Sequence, residues 1–214
     1  MAYKINWIIL LKISGRCSAM YINWQSRELN IKIVYYGPVL SGKTTNLEQI
    51  HAGVNPKRRT ELVSLKTHED RTLFFDFMQL ELGKIGGLSP KIHLYTVPGQ
   101  AYYESSRRLV LRGADGVVFV ADSSEDRLKC NLQSWRKMKE HLSSFGVAYG
   151  DIPLVLQCNK QDLPNSLDPV ILKRLLRVDG YPAFGAVAIA NQGVAETFKA
   201  ITQSVVNHVQ HQLA

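Results

Sequence analysis

Two rhythms of apolar residues alternate along the 214-residue chain. In "GVVFVAD" (116–122) and "IPLVLQCNK" (152–160) almost every position is apolar, the pattern of strands buried on both faces of a parallel sheet. "NIKIVYY" (30–36) is a short β-branched run that leads straight into a glycine-containing loop. "TLFFDFMQLEL" (72–82) alternates in its second half and "KIHLYTV" (91–97) follows it. The turn chemistry of "GGLSP" (86–90) between them predicts a hairpin. A last strand is predicted near Phe184 to Ile189. Between these runs the period lengthens to that of a helix. In "EDRLKCNLQSWRKMKEHLSSF" (125–145), Leu128, Leu132, Trp135, Met138 and Leu142 form one stripe. Further helices are predicted over Lys43 to about His51, over 99–113 ending at Gly113, over 169–177, and from Val194 to about Gln210. This alternation predicts a doubly wound α/β domain.

The first 19 residues break the pattern. "INWIILLKI" (5–13) is too short to span a bilayer, and a second start-like sequence begins at Met20. The reading is an N-terminal extension over 1–19, reflecting a start at Met20, followed by one domain over 20–214. A peripheral membrane anchor, with Lys4, Lys12 and Arg16 beside the apolar stretch, is the alternative. The net charge of +8 suits an anionic ligand, an acidic partner, an acidic membrane surface or a nucleic acid. Its Lys and Arg are scattered and lack aromatic interleaving, so a solvated basic surface is the expectation and nucleic acid is not. Three distant cysteines, Cys17, Cys130 and Cys158, make no disulfide framework or zinc knuckle and favour a reducing, cytoplasmic compartment. The six histidines show no ligand spacing.

"GPVLSGKTT" (37–45) changes the picture, because Gly37, Gly42, Lys43 and Thr44 have the spacing of a phosphate cradle. It follows a predicted strand and opens a helix, where Leu40, Ser41, Gly42 and Thr45 would add backbone N–H groups. Lys43 would reach the β- and γ-phosphates and the Thr44 hydroxyl a Mg²⁺ ion. "NKQD" (159–162) ends a buried strand at the sheet's carboxyl edge, where Asn159, Lys160 and Asp162 suit a purine. A carboxylate at Asp162 can accept two hydrogens from guanine, a donor pair that adenine lacks.

"GPVLSGKT", "TVPGQ" (96–100) and "NKQD" together resemble, in order and spacing, the Ras-like small GTPases. "KIVYYGP", "EDRTLFFDF", "HLYTVPGQ", "LRGADGVVFVADS" and "NKQDLP" resemble more narrowly the MglA family of bacterial gliding-motility and polarity GTPases. The resemblance implies a P-loop domain with a mostly parallel six-stranded sheet, GTP or GDP with Mg²⁺ as cofactor, and a homodimeric roadblock-type activator like MglB. Cytoskeletal or motility effectors, and recruitment to cell poles or the inner membrane surface, come with it. It implies that Thr72 contacts the metal and γ-phosphate, that Arg71 is an intrinsic arginine finger, and that Gln100 orients the attacking water. Gly99 joins the phosphate site, and Ala188 offers a backbone N–H to the base oxygen. Thr96 stands where most small GTPases have a metal-holding Asp, a feature MglA-type proteins share, and Asp76 is the carboxylate expected in compensation. Val39 departs from the Gly usual in that family. The expectation is tight GTP binding with slow intrinsic turnover. A nucleotide-binding scaffold without useful turnover is the alternative, and a nucleic-acid-associated NTPase the third reading.

Overall fold

The β-branched run at the start of the domain becomes the middle of a sheet because both of its faces carry apolar side chains. In a computed structural model, residues 21–23, 26–66, 74–83, 87–99, 103–148, 150–178 and 180–213 are described. The extension at 1–19, Arg71, Thr72 and Gln100 lie outside them.

Strands β1 (Tyr21–Asn23), β2 (Glu28–Tyr36), β3 (Val63–Lys66), β4 (Phe74–Glu81), β5 (Ser89–Thr96), β6 (Gly116–Asp122), β7 (Leu154–Asn159) and β8 (Ala183–Ala186) form one sheet. The order is β3-β4-β5-β2-β6-β7-β8, with β1 paired to β2. Strand β2 runs parallel to β5 and β6, and β7 runs parallel to β6 and β8. The predicted hairpin is present as the antiparallel pair β4 and β5. The six expected strands are therefore here, and two short antiparallel strands, β1 and β3, extend them.

Helices α1 (Lys43–Gly53), α2 (Glu104–Leu111), α3 (Leu128–Ser144), α4 (Pro169–Leu176) and α5 (Val194–Leu213) cover the two faces. Alternation along β2 decides the layers. Ile31, Ile33 and Tyr35 pack with Leu47 of α1 and Ile201 and Val205 of α5. Val34 and Tyr36 pack with Leu111 of α2, Trp135 and Met138 of α3, and Leu172 of α4. Both β2 faces are sealed from Ile33 to Tyr36, which is what parallel sheets demand, while Glu28, Asn30 and Lys32 stay half-buried at the strand's start.

Two expectations change. Leu132 is 38% exposed rather than part of the α3 stripe. Asn131 takes the buried place because its side chain accepts from the Asp122 N–H and donates to the Asp122 carbonyl. The last strand stops at Ala186, since the chain turns into a short 3₁₀ segment at Ala188–Ala190. After α1, Pro56–Arg58 forms a 3₁₀ turn capped by the Asn55 side chain, which accepts from Lys57 N–H.

Candidate functional site

The carboxyl ends of β2, β5, β6, β7 and β8 all open onto one edge, so the loops that follow them meet there. Loop 37–42 turns sharply enough to need left-handed backbone at Leu40 (φ 63°) and Gly42 (φ 96°). A Cβ at Gly42 would also lie 2.2 Å from Asn159 Nδ2, so glycine is required there twice over. Successive N–H groups in such a turn converge on an anion. The Ser41 hydroxyl in this loop is buried and has no hydrogen-bond partner among the described residues.

Lys43 opens α1 with its ammonium buried, donating to Pro38 O at 2.6 Å. Burial, with Arg107 adding to it and Asp76 opposing, pulls its pKa down to about 7. A charged amine so poorly solvated is a strong receptor for phosphate. A cavity of about 410 Å³ lies beside it, walled by Lys43, Thr44, Thr45, Asp76, Thr96, Gly99 and the Val39–Leu40 turn.

Asp76 gathers the hydroxyls of that cavity. Thr44 Oγ1 donates to it at 2.6 Å, Ser64 Oγ at 2.6 Å and Thr96 Oγ1 at 2.8 Å. Thr96 therefore does not replace a carboxylate; it holds one that arrives from the adjacent strand. Among the described residues no three His, Cys, Asp or Glu side chains cluster as a metal site. The donor set at Thr44 and Asp76 is hard oxygen with few carboxylates, which suits a cation that keeps water and phosphate ligands.

At Val39 the backbone is hemmed in. A Cβ on Gly99 would lie 2.3 Å from Val39 Cα, and the Arg127 guanidinium donates to Val39 O at 3.0 Å. Arg127 also lies 3.8 Å from the buried Asp122 carboxylate. Asp122 takes a second cation, Lys160 Nζ, at 2.7 Å.

Asn159 joins the two motifs: its Nδ2 donates to Ser41 O at 2.8 Å and its Oδ1 accepts from Ala188 N–H at 2.9 Å. Ala188 was expected to offer that amide to a base oxygen; in this structure it is engaged by Asn159 instead. Lys160 adopts left-handed backbone (φ 70°), and Asp162 is exposed in the turn beyond it. The structure thus brings Gly37, Leu40, Ser41, Gly42, Lys43, Thr44, Thr45, Gly99, Asn159, Lys160, Asp162 and Ala188 to one edge. Sequence reasoning did not single out Asp122 or Arg127; the acid ending "GVVFVAD" was the available signal for Asp122, and Arg127 had none.

The model of the ADP-ribosylation factor family matches residues 18–205. The chain is 46% identical over 190 residues to the mutual gliding-motility protein MglA of Myxococcus xanthus, covering 89% of this chain and 97% of that protein. ADP-ribosylation factor-like protein 6 of Caenorhabditis elegans is 30% identical over 138 residues, 64% of each chain. Ras-related protein Rab-7L1 of Rattus norvegicus is 22% identical over 186 residues, 86% of this chain and 85% of that one.

Proposed function

The chain belongs to the ADP-ribosylation factor family of small GTPases, on its MglA-like side, and from that premise we propose that the edge built from loop 37–45 and "NKQD" is its switch site. As a member it binds GTP and GDP and hydrolyses GTP. The observation that carries the placement is the Asn159 side chain, which ties the base motif to the phosphate loop at Ser41 O, 2.8 Å away. One residue fixes the distance between the two ends of a nucleotide.

In this reading the loop amides and Lys43 hold the phosphates, and the buried ammonium regains full charge against them. Asp162 accepts from guanine, with Asn159 and Lys160 shaping the base loop. Mg²⁺ fits the oxygen donors of Thr44 and Asp76: Thr44, Asp76 through water and, by the family resemblance, Thr72 would hold it, and it would neutralise charge on the β- and γ-phosphates. Arg71 neutralises transition-state charge in cis and Gln100 orients water, roles supported by the family resemblance. Hydrolysis of this kind is mostly positioning and charge neutralisation, so these parts suffice. A scaffold without turnover is not favoured by membership in a hydrolase family.

Similarity to a gliding-motility protein supports a role in motility; the motif resemblance to the MglA family is what supports cell polarity, a dimeric roadblock-type activator and cytoskeletal effectors at the poles or inner membrane surface. No helix among the described residues is long and apolar enough to cross a membrane. The test is calorimetry on the full chain with GTP, GDP and ATP. GTP and GDP bind far better than ATP, and Asp162→Asn shifts the preference toward xanthosine nucleotides. Equal affinity for ATP and GTP would overturn the base assignment.

A further inference from the structure

Gln157 sits in the middle of β7, where a strand buried on both faces calls for an apolar side chain. Its neighbours Leu154, Val155, Leu156 and Cys158 obey that rule, and Gln157 itself is fully buried. A leucine would fill the space without needing partners. A primary amide there is tolerated only when its donors and acceptor are bonded.

The partners lie on two helices. Gln157 Oε1 accepts from Asn46 Nδ2 at 2.7 Å, and Gln157 Nε2 donates to Asn46 Oδ1 at 2.9 Å. Gln157 Nε2 also donates to Thr197 Oγ1 at 3.0 Å. Asn46 and Thr197 are both fully buried. Each belongs to the first turn of its helix and reaches back to the carbonyl that precedes it. Asn46 Nδ2 donates to Gly42 O at 2.9 Å, and Thr197 Oγ1 donates to Gly193 O at 2.6 Å. Gly42 is the glycine of the phosphate loop, and Gly193 closes the base loop that begins at Ala188.

We infer that Gln157, Asn46 and Thr197 are positioning residues that lock the N-terminus of α1 to the N-terminus of α5, and so hold the phosphate loop and the base loop at the spacing a bound guanine nucleotide requires. The inference rests on the proposed switch site. Asn159 makes one tie between the same two loops at the surface of the sheet edge. Gln157, two residues earlier on the same side of the same strand, makes a second tie beneath it. Two tiers fix an angle as well as a distance, and directional hydrogen bonds supply orientation that apolar packing does not.

The helix caps survive removal of these side chains. Asn46 N–H also donates to Gly42 O at 3.0 Å, and Thr197 N–H to Gly193 O at 3.2 Å. Replacing both members of a buried polar pair by apolar residues of similar shape is close to neutral for stability, whereas replacing one strands the other. The double variant Asn46→Leu with Gln157→Leu therefore separates folding from positioning.

The experiment loads the full chain with a fluorescent GDP and follows its dissociation into excess GDP with Mg²⁺ present. Melting of the nucleotide-free chain is recorded beside it. The double variant melts within a few degrees of the parent and releases GDP roughly tenfold faster or more. Thr197→Val, which keeps shape and loses the hydroxyl, also releases GDP faster, and Thr197→Ser restores the parental rate. Should the double variant not fold, the Thr197 pair carries the test. Parental dissociation rates in Thr197→Val, or losses that track melting temperature alone in every variant, overturn the inference while the site stands. A parent chain that retains no GDP overturns the site and the inference together.

Discussion

Val39 is a side chain where the backbone has almost no slack. Gly99 approaches its main chain so closely that only glycine fits, and Arg127 holds its carbonyl. The amides and Lys43 that bind phosphate in the ground state are untouched by a branched residue at 39, but the water and the arginine needed in the transition state must fit beside it. Val39→Gly is expected to speed single-turnover GTP hydrolysis by roughly tenfold or more, about 1.4 kcal/mol per factor of ten, with nucleotide affinity little changed. An unchanged rate would show that the side chain lies clear of the γ-phosphate. Tyr35 makes a second residue-scale case. Its ring is fully buried and its hydroxyl has no hydrogen-bond partner among the described residues. Tyr35→Phe should raise the urea midpoint, by about 1 kcal/mol of stability, and a fall would reveal a hidden partner. Glycines and Lys43 were legible in the sequence because their chemistry depends on local spacing. Asp122, Gln157 and Asn46 were not, because Asp122 meets Lys160 38 residues on and Asn46 meets Gln157 111 residues on, and a polar letter does not name a distant partner.

At the scale of elements, the β4–β5 hairpin is more than a sheet edge. It carries Asp76 to Thr44 through Thr96, so a loss of that carboxylate is felt at α1. Asp76→Asn is expected to increase the free Mg²⁺ needed to retain GDP by roughly tenfold, read from dissociation rates across a Mg²⁺ series. Parental Mg²⁺ dependence would place the metal elsewhere. The seam between α2 and α3 makes a pH prediction. His141 lies against Tyr36 of β2 at 3.4 Å and Glu104 of α2 at 3.6 Å. Burial holds its pKa below the ordinary histidine range; Glu104 pulls it up, and Arg107 and Lys137 push it further down. The unfolded chain then binds a proton near pH 6.5 that the folded chain does not, so stability falls as pH drops from about 6.5 toward the lowered folded value. His141→Gln should flatten the urea midpoint over that acid window. Parallel curves would exclude the histidine as the cause. Both-face burial made β2, β6 and β7 easy to read from the sequence. Strands β1 and β3 were missed because three or four residues carry no period and exist only through pairing with a longer strand. Leu132 was misplaced because Asn131, bonded to the Asp122 main chain, is a better occupant of the helix's inner face than the pattern of apolar letters allows.

For the whole molecule, the family match begins at residue 18 and the first described strand at Tyr21. A chain begun at Met20 keeps β1 on β2 and should melt and bind GDP like the full chain; a large drop in melting temperature would show that residues 1–19 pack on the domain. The doubly wound architecture itself was legible, because it follows from the order of periods along the chain. The way the site is closed was not. The phosphate loop belongs to the first quarter of the sequence, yet its ties reach 118 residues onward from Ser41 to Asn159 and 111 from Asn46 to Gln157. That separation has a consequence for biosynthesis. At about 5–20 residues per second, a ribosome spends roughly 6–24 s between making the loop and making the residue that fixes it. Through that interval the nascent chain has the glycines and the lysine but no second wall. The complete nucleotide site therefore forms late in the synthesis of each molecule, and a chain arrested before β7 has its cradle's sequence without its grip.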